Sequence, residues 1–431
     1  MNATIFAVAS GAGRAGIAVL RLSGPLSGGA LATLSGHSLP KPRRATRVHL
    51  RSGAGDPLDD GLALWFPAPR SFTGEDVVEL HLHGSRAVLA ALSEALLGLG
   101  LRPAEPGEFS RRAFHNGKMD LTQAEGLADL IDAETEAQRR QALRQIGGEL
   151  AALYDGWRAD LVRAQAHLEA AIDFAEEGLP EDLIDQVHTE VRALRQRIRA
   201  HLDDNHRGER LRDGVRVTIL GAPNVGKSSL LNRLARRDAA IVSAIAGTTR
   251  DVIEVHLDLG GFPVIIADTA GLRDTAEVIE EEGIRRALDR AGQADIVLAV
   301  FDGAYLPVWD ETTLRLIDSR TLVVVNKVDA APADLPEERE GRPVLAVSAR
   351  TGEGLDRLME VLGTKVEALF SEGGMALTRE RYRAALMECT EALARSERTN
   401  LPDLAAEDIR LAARALGRIT GRVDVEDLLD V

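Results

Sequence analysis

The sequence predicts a multidomain chain in which an α/β domain is inserted into an all-α helical domain that follows an α+β domain. Three observations support this prediction. The first 118 residues are punctuated by Gly and Pro, the composition changes at Asp120 to Ala, Leu, Glu, Arg and Gln, and strand-like runs interrupt the helical pattern between about 213 and 368. At 431 residues the chain is long enough for more than one hydrophobic core.

Residues 1–118 are predicted to form the α+β domain. Short β-like runs occur at 16–22 and 77–82, and one helix is predicted over 87–99. The apolar start of the chain, residues 1–9, lacks the basic region of a signal peptide and is predicted to form a first strand.

The all-α domain is predicted in two parts, 119–212 and 369–431. Apolar residues recur in both parts at spacings of three and four, the period of a helix that buries one face. They are Leu150, Leu153, Trp157, Leu161, Ala164, Leu168 and Ile172, then Tyr382, Leu386, Cys389 and Leu393. Because Cys389 lies on this apolar stripe, it is predicted to be a core residue and not a nucleophile.

The inserted α/β domain, 213–368, opens with a phosphate-binding motif. Gly221–Ser228 reads Gly-Ala-Pro-Asn-Val-Gly-Lys-Ser, follows the apolar run 215–220 and precedes a helix predicted to begin near Ser229. In this context, backbone N–H groups and the helix N-terminus face phosphate oxygens. Lys227 is predicted to reach the β- and γ-phosphates, and the Ser228 hydroxyl is predicted to bind Mg²⁺.

A threonine pair and an Asp-Thr-Ala-Gly motif follow the phosphate loop. Thr249, after Thr248, is predicted to give Mg²⁺ a second hydroxyl ligand when a γ-phosphate orders that loop. Asp268 ends the apolar run 264–267 and is predicted to hold the metal shell, while the Gly271 N–H senses the γ-phosphate.

The last two motifs predict guanine as the base. Asp329 is the fourth residue of Asn-Lys-Val-Asp after the run 322–325, and its carboxylate can accept hydrogen bonds from guanine N1–H and N2–H₂. The loop 348–350 is predicted to contact the base. The predicted nucleotide-binding residues are Asn224, Val225, Gly226, Lys227, Ser228, Ser229, Thr248, Thr249, Asp268, Thr269, Ala270, Gly271, Asn326, Lys327, Asp329, Ser348, Ala349 and Arg350.

Hydrolysis of GTP needs a water-positioning group that this sequence does not carry in the usual place. Leu272 stands where signalling GTPases have a Gln, and its side chain forms no hydrogen bonds. Arg250 and Arg273 are candidate positive charges, and residues 280–282 are three glutamates. The Asn224 amide oxygen either coordinates a monovalent cation beside the β/γ bridging oxygen or forms a loop hydrogen bond.

Composition limits the partners. The net charge of −15 argues against non-specific binding of polyanions, so a nucleic acid would need a local basic patch or a second protein. The arginine-dense segment 192–212 is interleaved with acidic residues and is interpreted as a solvated helix face and not as an RNA surface. A single cysteine and the lack of a membrane-length apolar run favour a cytoplasmic protein without a membrane partner.

The chain resembles the MnmE (TrmE) family of tRNA modification GTPases over nearly its whole length. The motifs that carry the resemblance are Leu-Arg-Leu-Ser-Gly at 20–24, Ser-Phe-Thr-Gly-Glu-Asp at 71–76, Pro-Gly-Glu-Phe-Ser at 106–110, Arg-Ala-Phe at 112–114, Ala-Glu at 124–125, Asp-Leu-Ile-Asp-Ala at 129–133 and Gly-Thr-Thr-Arg-Asp at 247–251. The resemblance implies a folate-binding-like α+β N-terminal domain that forms a homodimer, a discontinuous all-α domain and an inserted α/β P-loop GTPase domain.

The resemblance also implies site residues. Arg21, Glu79 and Lys118 match positions that hold a tetrahydrofolate derivative, where Arg and Lys can pair its glutamate carboxylates and Glu can accept from its pterin ring. Potassium would stand in for an arginine finger. The family's potassium ligands correspond to Asn224, Thr248 and the backbone oxygens of Ser243 and Ile245, and its water-orienting carboxylate corresponds to Glu280.

The reaction implied is installation of an aminomethyl-type group at C5 of the wobble uridine, U34, of certain tRNAs. A flavin-dependent MnmG-type partner would share the chemistry, the folate would supply the one-carbon unit, and GTP hydrolysis would drive domain motion. Family members usually continue past Asp-Leu-Leu, here 427–429, to end in Phe-Cys-Ile-Gly-Lys, whereas this sequence stops at Val431. Two alternatives stay open: a folate-sensing or ribosome-associated GTPase switch without modification chemistry, and a folate transferase with a regulatory GTPase domain.

Overall fold

The computed structural model describes residues 3–174, 183–237, 239–241, 254–268, 291–331, 335–370, 377–399 and 401–422. The chain divides into two compact units, Met1–Ala124 and Glu125–Val431. Within the described ranges, every helix is too short or too polar to cross a lipid bilayer. The boundaries predicted at 118/119, 212/213 and 368/369 stay predictions.

The first unit is built on a six-stranded sheet whose strands follow the order β3-β4-β5-β2-β1-β6. These strands are β1 (Ile5–Val8), β2 (Ala15–Ser23), β3 (Thr46–Arg51), β4 (Pro57–Phe66), β5 (Val77–Gly84) and β6 (Arg102–Pro103). Its helices are α1 (Ser27–Ser35), α2 (Arg86–Gly98) and α3 (Glu108–His115). The predicted first strand, the strands at 16–22 and 77–82 and the helix at 87–99 are confirmed, with ends shifted by a few residues.

The two faces of this sheet differ because side chains alternate along a strand. One face carries Leu20, Leu80 and Ala63, which are buried with residues of α1 and α2 in one hydrophobic core. The other face carries side chains of intermediate burial, including Arg21 and Glu79.

The second unit begins with a helical region. Its helices are α4 (Leu121–Asp132), which spans the division between the units, α5 (Glu136–Ile146), α6 (Glu149–Asp173), α7 (Leu183–Leu202), α8 (Arg207–Asp213), α12 (Glu380–Ser396) and α13 (Pro402–Thr420). Residues from both predicted helical stretches, such as Trp157, Leu194 and Leu416, share one core. Cys389 is fully buried in it, and burial raises the pKa of its thiol to about 12, as expected of a core residue.

Between these helices lies a seven-stranded sheet of order β12-β13-β11-β10-β7-β9-β8. Its strands are β7 (Val215–Leu220), β8 (Glu254–Leu259), β9 (Phe262–Asp268), β10 (Ile296–Asp302), β11 (Thr321–Asn326), β12 (Glu338–Arg339) and β13 (Arg342–Ala346). The accompanying helices are α9 (Lys227–Leu234), α10 (Glu311–Leu314) and α11 (Leu355–Ala368). The five central strands are parallel, as in a P-loop GTPase-like fold.

Hydrogen bonds tie the helices to this sheet region, and two of them bear on how the chain enters and contacts it. The Arg212 Nη1 atom, at the end of α8, donates to the Thr378 carbonyl oxygen at 3.0 Å, so the chain entering the sheet region meets the chain leaving it. The Ala137 N–H of α5 donates to the carbonyl oxygen of Gly261, in the β8–β9 turn, at 3.1 Å.

Candidate functional site

The phosphate-binding loop lies between β7 and α9, at the carboxyl edge of the parallel strands, where ligands of open α/β sheets bind. Gly221 has a φ of +152°, and a Cβ there would collide with the Val300 carbonyl oxygen. The helix predicted to begin near Ser229 begins at Lys227, and its N-cap, Gly226, provides no side-chain cap. Since the first N–H groups of a helix lack intrahelical partners, this end can bind an anion.

Lys227 and Asn224 both lie in this loop. The Lys227 Nζ atom donates to the carbonyl oxygens of Gly221 and Ala222 at 2.8 and 2.9 Å, so the ammonium is held over the loop. Asn224 is exposed and has a φ of +62°. Within the described residues its side-chain amide forms no hydrogen bond, and both interpretations of Asn224 stay predictions.

Asn326 joins the phosphate loop to the predicted base loop. It is 1% exposed; its Nδ2 atom donates to the Val225 carbonyl oxygen at 2.8 Å, and its Oδ1 atom accepts from the Ala349 N–H at 3.0 Å. A Cβ at Gly226, whose φ is +96°, would collide with Nδ2. Asn326 is therefore a cross-link between two loops, a role that the motif alone did not reveal.

Lys327 also contacts the phosphate loop. Its Nζ atom donates to the Asn224 carbonyl oxygen at 2.7 Å and to Asp302 Oδ2 at 2.6 Å. Asp302 was not among the predicted site residues. Its signal was the position of a carboxylate at the last residue of the apolar strand β10.

Asp329 presents a carboxylate at the predicted base site. Ser348 Oγ donates to its Oδ1 atom, and Arg350 Nη2 lies 2.5 Å from its Oδ2 atom. The hydrogen bond from Ser348, followed by the charge of Arg350, lowers the pKa of Asp329. The group is consequently an anionic acceptor at neutral pH, as recognition of guanine N1–H and N2–H₂ requires.

Several predicted residues lie outside the described part of the chain: Ser243, Ile245, Thr248, Thr249, Thr269, Ala270, Gly271, Leu272 and Glu280. The backbone of Asp268 pairs with Ile219 at the end of β9. Ser228 and Ser229 lie in the first turn of α9. Within the described residues, no three His, Cys, Asp or Glu side chains converge on a metal-sized site.

The first unit holds the second predicted site, on the exposed face of its sheet. Arg21 on β2 is opposite Glu79 on β5, and Arg21 Nε donates to Glu79 Oε1 at 2.9 Å. The ring centroids of Phe72 and Phe109 lie 5.2 and 5.8 Å from the Arg21 guanidinium. Arg21 and Glu79 therefore contact each other directly, and the part of a folate that each of them would hold stays a prediction.

Lys118 packs against the loop that carries Phe72. Gly74 in this loop has a φ of +78°, and a Cβ there would lie 3.4 Å from the Cγ and Cδ atoms of Lys118. Asn116 Nδ2 donates to the carbonyl oxygen of Thr73 in the same loop at 2.7 Å. Lys118 therefore packs against the same loop whose Phe72 ring lies beside Arg21.

A buried cation supports this loop from inside the unit. Arg112 is 1% exposed; it donates to Glu75 Oε2 at 2.9 Å and to Glu108 Oε1 at 2.9 Å. The hydrogen bond from Arg102, together with those of Arg112, lowers the pKa of Glu108 to about 2, so the buried carboxylate stays ionised. Arg112 was noted in the sequence only as part of the Arg-Ala-Phe motif, and its support of this loop was not predicted.

Comparison with known proteins gives two family matches. Residues 4–118 match the family described as GTP-binding protein TrmE N-terminus, and residues 121–431 match the MnmE helical domain. Similar relatives are the tRNA modification GTPase MnmE of Paramagnetospirillum magneticum, 65% identical over 432 residues (100% of this chain, 98% of the relative), and that of Rhodospirillum rubrum, 56% identical over 443 residues (99% and 97%).

Among solved structures, the G domain of the Thermotoga maritima FeoB iron transporter is 26% identical and covers 35% of this chain and 98% of its own, with a TM-score of 0.27.

Proposed function

The chain belongs to the MnmE (TrmE) family of tRNA modification GTPases, and from that premise we propose that it couples potassium-stimulated GTP hydrolysis to modification of the wobble uridine, U34, in tRNA. In this proposal, a flavin-dependent MnmG-type protein is the partner, and a tetrahydrofolate derivative donates the carbon of a C5 aminomethyl-type group. The protein acts as a homodimer in the cytoplasm. The observation that carries the proposal is that one chain contains two different sites. One has the residues expected to bind a guanine nucleotide, and the other is the Arg21–Glu79 pair, which suits a different kind of ligand.

The nucleotide part of the proposal rests on the arrangement around Asn326. Its two hydrogen bonds fix the distance between the phosphate loop and the base loop. Asp329, ionised and oriented by Ser348, supplies the acceptor that distinguishes guanine from adenine. These residues suit GTP with Mg²⁺, and Ser228 is the proposed metal ligand among the described residues.

The potassium part rests on Asn224. Its backbone is anchored by Lys327, and its exposed amide makes no hydrogen bond within the described residues, which leaves the amide oxygen available to a cation. A monovalent cation beside the β/γ bridging oxygen would stabilise the charge that develops there during hydrolysis. Glu280 as the water-orienting carboxylate is part of the same proposal.

The folate part rests on the first unit. Arg21 and Glu79 form a donor–acceptor pair 20–27% exposed at their side chains, and Phe72 and Phe109 offer aromatic rings beside it. A pterin ring presents both donors and acceptors and a flat face, so this end suits it. Lys118 is then the cation that pairs the folate's glutamate carboxylates.

The decisive experiment on the GTPase part compares turnover in potassium and sodium chloride at equal ionic strength. We expect faster hydrolysis in potassium, and we expect Asn224→Ala to lose that difference while keeping GTP affinity. Asp356→Asn, at an exposed carboxylate of α11, is the matched control. Equal wild-type rates in both salts would contradict the potassium mechanism.

The modification part is tested separately, by mass analysis of wobble nucleosides from cells with and without the gene. We expect the C5 modification to disappear with the gene and to return with the wild-type gene. Unchanged nucleosides would instead support a GTPase switch without modification chemistry.

A further inference from the structure

The edge strand β3 and the loop before it form a basic surface within an acidic protein. We define the basic edge as five cationic residues within an eleven-residue segment: Lys41, Arg43, Arg44, Arg47 and Arg51. Residues 25–55 contain no aspartate or glutamate, although the whole chain carries a net charge of −15. The local charge is therefore opposite to that of the molecule.

All five residues are exposed, and few carboxylates lie close enough to neutralise their charge. Within the described part of the chain, neither Lys41 nor Arg44 forms an ion pair. Arg47 lies 3.5 Å from Asp60, but its side chain is 72% exposed. The side chains of Arg43 and Arg51 donate to backbone carbonyl oxygens, which leaves their charge uncompensated.

The second arginine-rich segment behaves differently. On α7, Arg195 pairs with Glu397 at 2.6 Å and Arg197 pairs with Asp160 at 2.9 Å. The interpretation of this segment as a solvated, charge-paired helix face is consistent with these contacts. Arginine density alone thus does not distinguish the two segments, whereas the supply of acidic partners does.

The strand register places Arg47 of the basic edge on the same face of the sheet as the Arg21–Glu79 pair, and Lys41, Arg43 and Arg44 lie in the loop before β3. Arg47 is opposite Leu62, which is opposite His81, which is opposite Val19 on β2. Since alternate residues share a face, Val19 and Arg21 point to the same side. Three strand spacings of about 4.8 Å separate β3 from β2, roughly 14 Å.

We propose that the basic edge binds the phosphate backbone of tRNA and thereby brings a base toward the Arg21–Glu79 pair. The inference rests on the proposed function, which supplies a polyanionic substrate and a reaction site on this face. Charge complementarity selects the occupant, because phosphates spaced along a nucleic acid strand match a row of exposed arginines and lysines. The opposite face of the sheet is covered by α1 and α2 and is closed to such a ligand.

The competing explanation is that charge on an edge strand only prevents pairing with other chains. The two explanations differ in what happens when charge is removed. Loss of a phosphate contact weakens RNA binding and reduces its salt dependence, whereas loss of edge protection promotes association of the protein and leaves RNA affinity unchanged.

The experiment measures tRNA affinity of the full chain by fluorescence anisotropy at several salt concentrations. The test variant is Lys41→Gln/Arg44→Gln/Arg47→Gln, and the matched control, which removes the same charge from α7, is Arg192→Gln/Arg197→Gln/Arg199→Gln. We expect the test variant to bind tRNA about tenfold or more weakly, with the slope of log K against log salt smaller by roughly 2–3. We expect the control to bind as the wild type does.

A third variant, Lys41→Arg/Arg44→Lys/Arg47→Lys, keeps the charge and should keep wild-type affinity and slope. GTP turnover and thermal unfolding should both match the wild type in all three, which shows that the unit carrying the basic edge also folds. The proposal would be overturned if tRNA binding weakened equally in the test and control variants, or if the tRNA affinity of the test variant were unchanged. It would also be overturned if the test variant lost its dimeric state or aggregated while keeping wild-type tRNA affinity. Comparison of wobble nucleosides from cells with and without the gene tests the proposed function independently, so the two failures are distinguishable.

Discussion

The two predicted sites of this chain are built in opposite ways. The nucleotide site is made of short loops at one sheet edge, and its shape depends on backbone conformation at Gly221, Gly226 and Lys327. The Arg21–Glu79 site is made of side chains on neighbouring strands, and its loop is held by the buried cation Arg112. The first type of site depends on local chain geometry, and the second depends on which strands become neighbours.

The largest effect is expected when the buried support of the second site is removed. Arg112→Met leaves Glu75 and Glu108 without their buried cation, so we expect a loss of about 3–5 kcal/mol in local stability. Hydrogen exchange of the full chain should show the loss at residues 71–76 and α3. Arg111→Met, at an exposed neighbour, should cost less than about 1 kcal/mol. Similar costs for both variants would refute a supporting role for Arg112.

The next effect tests the local geometry of the nucleotide site. Gly226→Ala demands a positive φ from a residue with a Cβ and pushes that Cβ into Asn326. We expect GTP affinity to fall by about 1–3 kcal/mol in binding free energy, measured by calorimetric titration. Gly363→Ala, in α11 with open space around it, is the control and should bind GTP normally. Normal binding by the Gly226 variant would show that the loop adapts more freely than its contacts indicate.

A more specific effect of similar size is expected at the base. Asp329→Asn replaces an anionic acceptor by an amide, so we expect about 1.5–3 kcal/mol weaker GTP binding and improved binding of xanthosine triphosphate, whose base offers an acceptor at position 2. Competition titration with both nucleotides measures the exchange of preference. A uniform loss for both nucleotides would mean that Asp329 acts on the loop and not on the base.

The smallest stability effect is expected at the Arg21–Glu79 pair, because partly exposed ion pairs contribute about 0–1 kcal/mol. Arg21→Gln should therefore leave thermal unfolding nearly unchanged while weakening the binding of a tetrahydrofolate derivative, followed by fluorescence titration. Arg111→Gln should change neither. A large drop in unfolding temperature for Arg21→Gln would reassign the pair to structure and remove the main support for a folate site.

The same contrast explains what the sequence could predict. The run 215–220 and the phosphate motif are contiguous, so strand, loop and helix follow from local rules, and the helix start differed by two residues because the first turn already includes Lys227 and Ser228. The two hydrogen bonds of Asn326 reach loops about 20 to 100 residues away, and no local pattern specifies them. The burial of Arg112 depends on tertiary neighbours, so the Arg-Ala-Phe motif alone did not predict it.

The Arg21–Glu79 site also depends on a contact that no local sequence pattern specifies. Arg21 and Glu79 become a pair only through the β2–β5 register. The family resemblance identified the residues but did not reveal that they contact each other. Residue identity was predictable from motifs, whereas the contact between the two side chains required the sheet.

The hydrogen bond between Arg212 and Thr378 has a consequence for protein engineering. Because the chain enters and leaves the sheet region at neighbouring points, the two ends of the intervening segment lie close together. We expect that a short flexible linker between 213 and 377 can replace this segment without stretching the flanking helices, which share their own core. The helical region would then accept a different ligand-responsive domain at this junction.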